Sequence, residues 1–221
     1  MPGDPRPIGV FDSGMGGLTV LKALTARLPN ERFVYLGDTA RLPYGTKSAE
    51  TVQAYALQAT RLLLDEGVKM LVVACNTASA VALGLLQEAF APLPVVGVIE
   101  PGARAGVAAT SNRRIAVIAT EGTVRGGAYA RAIRRLMSDA EVTQQPCGVF
   151  VALAEEGWID GPVVAGVVQR YLDDIFVAGA VEAHPDTLVL GCTHFPVLAP
   201  AIASVIGPAV TIVDSAATTA A

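Results

Sequence analysis

Cys75 and Cys192 close two similar apolar runs, LVVACNTA (Leu71 to Ala78) and LVLGCTHF (Leu188 to Phe195), far apart in the chain. Small polar residues follow each thiol at once, Asn76 and Thr77 in one case, Thr193 and His194 in the other. Free cysteine is among the most buried residue types, so a single strand-end cysteine is ordinarily packing material. Two in matching contexts point to chemistry. A thiol can act as thiolate base and as thiol acid near neutral pH, and a helix N-terminus is expected to lower its pKa. Two such thiols could form a redox couple, a nucleophile with its resolving partner, or two equivalent bases flanking one substrate. The last suits the symmetry of the segments. One base takes a proton from a carbon and the other returns one to the opposite face, which is racemisation.

Other residues can be weighed against these two. His194 lies two positions after Cys192 and could be its proton partner; His184, before Pro185, reads as structural. Asp12 ends the apolar run IGVFDS, where it could cap the following helix or serve a site. Cys147 follows a proline, has no polar followers, and is expected in the core. Glu155 and Glu156, in VALAEEGW, read as surface residues on their own. The GMGG of Gly14 to Gly17 lacks the third glycine of a dinucleotide fingerprint, since position 19 is Thr19. It reads instead as a tight turn that gives a ligand access to backbone amides. Three cysteines and two histidines show no metal-ligand spacing, which argues against zinc. The three lysines, Lys22, Lys47 and Lys69, mark no pyridoxal phosphate pocket. No cofactor and no metal are expected.

These residues need elements to position them. Short Val/Ile/Leu-rich runs alternate with helical patterns along the whole chain, which implies parallel sheets with helices on both faces. Strands are expected over IGVFDS, RFVYLGD, KMLVVAC, PVVGV, RIAVIAT, EVTQQPC, TLVLGC and TIVDS. Helices are expected over residues 16–28, 48–67, 77–90, 102–111, 123–137 and 197–207, with a helical region over 150–178 broken at GWIDGP. Ligands of open parallel sheets bind beyond the carboxyl ends of the strands. Asp12, Ser13, Asp38, Cys75, Asn76, Thr77, Thr120, Thr123, Cys192, Thr193 and His194 all sit at such ends, near helix N-termini where free amides favour anions. A small anion is the expected ligand. The two cysteine segments imply two related α/β units, one over residues 1–98 and 208–221, the other over 99–207.

Composition narrows the function classes. Of 221 residues, 52% are hydrophobic and 16% charged, and the net charge is −4. Such a chain can build a sizeable core but has no general attraction to nucleic acid. No apolar run is long enough to span a membrane, and the first residues lack the regions of a signal peptide. A cytoplasmic protein with a small-molecule ligand and no membrane or nucleic-acid partner is expected. Helix surfaces define no dimer face, so a homodimer is neither required nor excluded.

Taken in order, IGVFDSGMGGLTVL, YLGDTARLPYG, VVACNTASA, VIEPG, IATEGTVRGGAY and LVLGCTHFP resemble the cofactor-independent aspartate/glutamate racemase family, with GCTH and FDSG as in its glutamate racemases. The resemblance implies two flavodoxin-like parallel-sheet domains with the active site at their interface. It implies Cys75 and Cys192 as the two bases, Asp12 assisting near Cys75, and Glu155 and His194 assisting near Cys192. It implies substrate contacts from Asp12, Ser13, Pro43, Tyr44, Gly45, Asn76, Thr77, Thr120, Thr123, Thr193 and His194. It further implies interconversion of L- and D-glutamate for peptidoglycan synthesis, and a further helix beyond VDSAATTA packing on the first domain.

Overall fold

The computed structural model of the chain describes residues 4–176 and 184–220. Within them, β1 (Ile8–Asp12), β2 (Phe33–Gly37), β3 (Met70–Val73) and β4 (Val95–Gly97) form one parallel sheet in the order β2-β1-β3-β4. β5 (Arg114–Ala119), β6 (Glu141–Pro146), β7 (Thr187–Gly191) and β8 (Thr211–Asp214) form a second in the order β6-β5-β7-β8. Counted from its own first strand, each sheet has the same order. Both are flavodoxin-like, with the change of winding direction between first and third strands, where such sheets bind ligands. Phe11 pairs with Val73 and Ala119 with Gly191. Asp12–Ser13 and Ala74–Cys75 therefore leave the first sheet side by side, as Thr120 and Cys192 leave the second.

The strands are continuous apolar runs because both faces are covered. On the first sheet, Phe11, Leu71 and Val73 face α2 (Ala49–Asp65), α3 (Asn76–Val81) and α4 (Leu83–Ala89). Ile8, Val10 and Val72 face α1 (Leu18–Arg27) and α11 (Ser215–Thr219). On the second, Ile115, Val117 and Val189 pack with α5 (Ile99–Ala109) and α7 (Ala128–Leu136). Ala116, Ile118, Leu188 and Leu190 pack with α8 (Gly148–Glu155), α9 (Gly161–Phe176) and α10 (Ala199–Ile206). Each fully buried aliphatic side chain among them contributes about 2 kcal/mol. Cys147 is wholly buried in this last cluster, as expected of a core residue.

Several boundaries differ from the sequence expectation. The helix expected over 77–90 is two, α3 and α4, meeting at Ala82, whose φ of −119° departs from helical values, and Gln53 Nε2 donates to Val81 O at 2.8 Å beside the break. The helix over 123–137 is also two, α6 (Glu121–Gly126) and α7, broken at Gly127 with φ +62°. Such a left-handed residue ends a helix, and glycine adopts it without steric cost. Ser48 caps α2, its Oγ accepting from Thr51 N at 3.2 Å. Of the helical region over 150–178, residues 177–178 lie outside the described residues. The return to the first unit at residue 208 needs correction. β8 pairs with β7, Thr187 opposite Thr211, so that strand belongs to the second sheet. The chain rejoins the first unit only with α11, whose Ala216 is buried beside Val20 and Val72. Burial of Val213 in the second core decides this; sequence shows only that the run is apolar. No helix among the described residues is long and apolar enough to cross a membrane.

Candidate active site

Cys75 is the N-cap of α3. Its extended backbone (φ −64°, ψ 120°) leads out of β3, and its Sγ accepts from Ala78 N at 3.4 Å. Ser79 Oγ donates to Val73 O at 2.8 Å and ties this turn to the strand end. Cys192 directly follows β7, and Phe195 N donates to its carbonyl at 3.1 Å as the chain enters a 3₁₀ turn over Phe195–Leu198. The two thiols are 4% and 5% exposed. Both line one cavity, with Ser13, Leu42, Pro43, Tyr44, Gly45, Asn76, Thr77, Thr120, Val151, Thr193 and His194. Only about 20 Å³ of it is open to the centre of a water molecule.

Behind this wall, Asp12 is fully buried. It accepts from Gly14 N at 3.0 Å and from Thr193 Oγ1, of the other unit, at 3.4 Å. The GMGG turn thus serves a carboxylate of the protein, where the sequence suggested amides offered to a ligand. A Cβ at Gly17 would lie 2.4 Å from Asp12 Cβ, so glycine is what lets the turn close on that carboxylate.

Three further linkages build the site. Cys192 Sγ lies 3.7 Å from His194 Nδ1, and His194 Nε2 lies 2.5 Å from Glu155 Oε1 on the last turn of α8. Thr77, Thr120 and Thr123 form a triangle of hydroxyls with sides of 2.8, 3.1 and 3.0 Å, which joins α3 to the start of α6. Tyr129 OH donates to Asn76 Oδ1 at 2.7 Å, while Asn76 Nδ2 is buried without a protein partner. A buried amide hydrogen left unpaired costs stability unless something accepts from it, and Asn76 lines the cavity. Tyr44 OH donates to Asp38 Oδ2 at 2.5 Å, and Arg41 Nε pairs with the same oxygen at 2.6 Å, holding the Pro43–Gly45 wall.

Electrostatics run against one sequence expectation. Burial pushes the Cys75 thiol up to about 11, with the neighbouring Asp12 charge adding to the effect and Ser13 and the α3 amides opposing it. Burial likewise raises Cys192, against its hydrogen bond with the His194 backbone, and the charges of Cys75 and Asp12 add to the rise. The helix N-terminus was expected to favour the thiolate; loss of water outweighs it, because a desolvated anion loses more than a few amide dipoles return. Burial also raises Asp12, against the amides of Gly17, Gly14 and Ser13 that hold its charged form.

Most of the site residues read from sequence meet at this cavity. Asp12, Thr123 and Glu155 stand one layer behind it, bonded to Thr193, Thr77 and His194. Glu155, read alone as a surface residue, has a side chain 34% exposed yet points one oxygen at His194. Leu42, Val151 and Tyr129 were missed. Val151 sits four residues before Glu155, on the same face of α8, a spacing that could have found it. Nothing local marks Tyr129. Among the described residues no cluster of three or more His, Cys, Asp or Glu could hold a metal ion.

Comparison with known proteins matches residues 12–221 to the model of the Asp/Glu/hydantoin racemase family. The glutamate racemase of Geobacter metallireducens is 54% identical over 215 residues, 97% of this chain and 77% of that protein. The crystal structure of glutamate racemase from Francisella tularensis in complex with D-glutamate aligns at TM-score 0.89 and 41% identity, over 98% of this chain and 78% of that one. A glutamate racemase isoform from Bacillus anthracis aligns at TM-score 0.91 and 40% identity, over 97% of this chain and 79% of that one.

Proposed function

The chain belongs to the Asp/Glu/hydantoin racemase family, and we propose that it interconverts L- and D-glutamate by proton transfer between two thiols, without a cofactor. One observation carries this reading: Cys75 and Cys192, from equivalent strand ends of two like sheets, line a single small cavity. The resemblance assigns Cys192 to the proton of L-glutamate and Cys75 to that of D-glutamate. Whichever thiolate removes the α-proton, the other thiol donates its own to the opposite face. The product D-glutamate would supply peptidoglycan synthesis.

The surroundings suit that chemistry. Both thiols are held protonated by burial, and the α-ammonium of a bound amino acid is a cation that would stabilise a thiolate beside it. Asn76 Nδ2 and the hydroxyls of Ser13, Thr77, Thr120 and Thr193 offer donors to carboxylates. Asp12, Glu155 and His194 would assist proton transfer from one layer back. The cavity, with room for about one water as it stands, must widen to admit an amino acid.

The test is incubation of the pure protein with L-glutamate, without added cofactor and after dialysis against a chelator, followed by chiral analysis. Accumulation of D-glutamate to equal amounts is the expected result. No D-glutamate, or turnover of aspartate or a hydantoin instead, overturns the assignment.

A further inference from the structure

The turn after β1 carries Asp12 and Ser13 to the site, and a residue of β2 fixes its course. Tyr35 lies opposite Val10 in the pairing of the two strands, and both pack on the face covered by α1. The Tyr35 phenol reaches past the strand end and donates to Gly14 O at 2.7 Å. Gly14 N donates to Asp12 Oδ2 at 3.0 Å, and Cys75 Sγ donates to Ser13 Oγ at 3.4 Å. Two glycines let these groups approach. A Cβ at Gly37 would stand 2.3 Å from Gly14 O, and one at Gly17 would stand 3.0 Å from the Tyr35 hydroxyl. Gly14 is buried, so its carbonyl needs a donor from the protein. Burial, with the charges of Asp12, Cys75 and Glu155, raises the phenol well above its ordinary value, and it stays a donor.

We propose that Tyr35 is a positioning residue of the reaction: by holding the Gly14 carbonyl it sets where Asp12 and Ser13 stand against Cys75. This rests on the two-base reading above. Tyr35 is not among the residues lining the cavity and touches no reacting atom; it acts through the turn. Without its hydroxyl the buried Gly14 carbonyl loses its donor, and a turn with glycine at 14, 16 and 17 has the freedom to rotate that peptide. Asp12 then loses the amide of Gly14, and Ser13 moves from the sulfur. The effect falls on the Cys75 step, because Ser13, the residue bonded to that sulfur, directly precedes Gly14. Gly16, farther along, passes Thr193 and His194 on the other side of the site.

The experiment compares the parent with Tyr35→Phe, which keeps the ring and removes the donor, on D- and L-glutamate with and without deuterium at the α-carbon. In Tyr35→Phe kcat/KM should fall about fivefold, equally in both directions, because the two enantiomers have the same energy in water. The isotope effects on kcat/KM should divide. The deuteron of D-glutamate is taken in the Cys75 step and that of L-glutamate in the Cys192 step. A raised barrier at Cys75 therefore increases the isotope effect with deuterated D-glutamate and decreases it with deuterated L-glutamate. Gly37→Ala, which pushes the same carbonyl aside with the phenol intact, should divide them in the same sense. Ile8→Val, a comparable loss of stability at the other end of β1 in the same apolar cluster, should move neither. Unchanged isotope effects in Tyr35→Phe, an increase with L- in place of D-glutamate, or the same division in Ile8→Val overturn the proposal while racemisation itself stands. Absence of racemisation in the parent instead sinks the two-base reading on which it depends.

Discussion

Tyr129 donates its phenol hydrogen to Asn76 Oδ1 at 2.7 Å, joining α7 of the second unit to the first turn of α3 in the first. The bond orients the amide. With Oδ1 occupied, Nδ2 is the atom left to meet a ligand, and it is buried without another partner. Tyr129→Phe removes the bond and leaves the packing, so it should cost about 1 kcal/mol of binding. Steady-state kinetics should show KM raised several-fold in both directions with kcat little changed. An equal fall of kcat with KM constant would show that the phenol acts on the transition state instead.

Serine in place of either thiol is nearly isosteric but a far weaker base at neutral pH. Cys75→Ser and Cys192→Ser should each lower racemisation by about 10³-fold or more. Each should still eliminate a good leaving group from a β-substituted glutamate of one configuration. Cys75→Ser should process the L-like analogue and Cys192→Ser the D-like one. If both variants accept the same enantiomer, the two thiols do not flank one carbon.

The raised thiols make stability depend on pH in a definite direction. Cys75 in the folded protein keeps its proton up to about 11, against 9.0 for an unperturbed thiol. The unfolded chain therefore releases this proton first as pH rises. Its contribution is complete below about pH 9 and is lost progressively toward pH 11. Urea midpoints measured between pH 8 and 11 should fall, and Cys75→Ala should fall less steeply. Identical slopes in the two proteins would refute the burial account. On the two-base proposal turnover requires one thiol ionised and the other protonated, so it should follow a bell-shaped pH profile.

Asp38 is 8% exposed and takes both the Arg41 ion pair and the Tyr44 phenol on one oxygen. Asp38→Ala leaves both donors without their acceptor beside the Pro43–Gly45 wall. Chemical denaturation should register a loss of about 2 kcal/mol, together with a higher KM for glutamate. Wild-type stability and KM in this variant would show that Tyr44 is held by its ring contacts with Phe11 and Tyr55 alone.

What the sequence determined by itself was whatever is written in short range. Period and composition gave parallel strands with covered faces, and the two cysteine motifs mark equivalent strand ends, because a strand-to-helix turn is built from neighbouring residues. Asp12, Asn76, Thr77, Thr193 and His194 were visible for the same reason. The tertiary structure decided the rest. β8 could be placed only by pairing with β7, since an apolar run does not name its neighbour. Glu155 reads as surface until α8 is packed and His194 meets it, and Tyr129 gains a role only where α7 crosses α3. The thiol pKa values were misjudged in direction for one reason. A helix N-terminus is a local feature, but loss of water depends on every element that closes over the sulfur, and that enclosure exists only once both units are folded against each other.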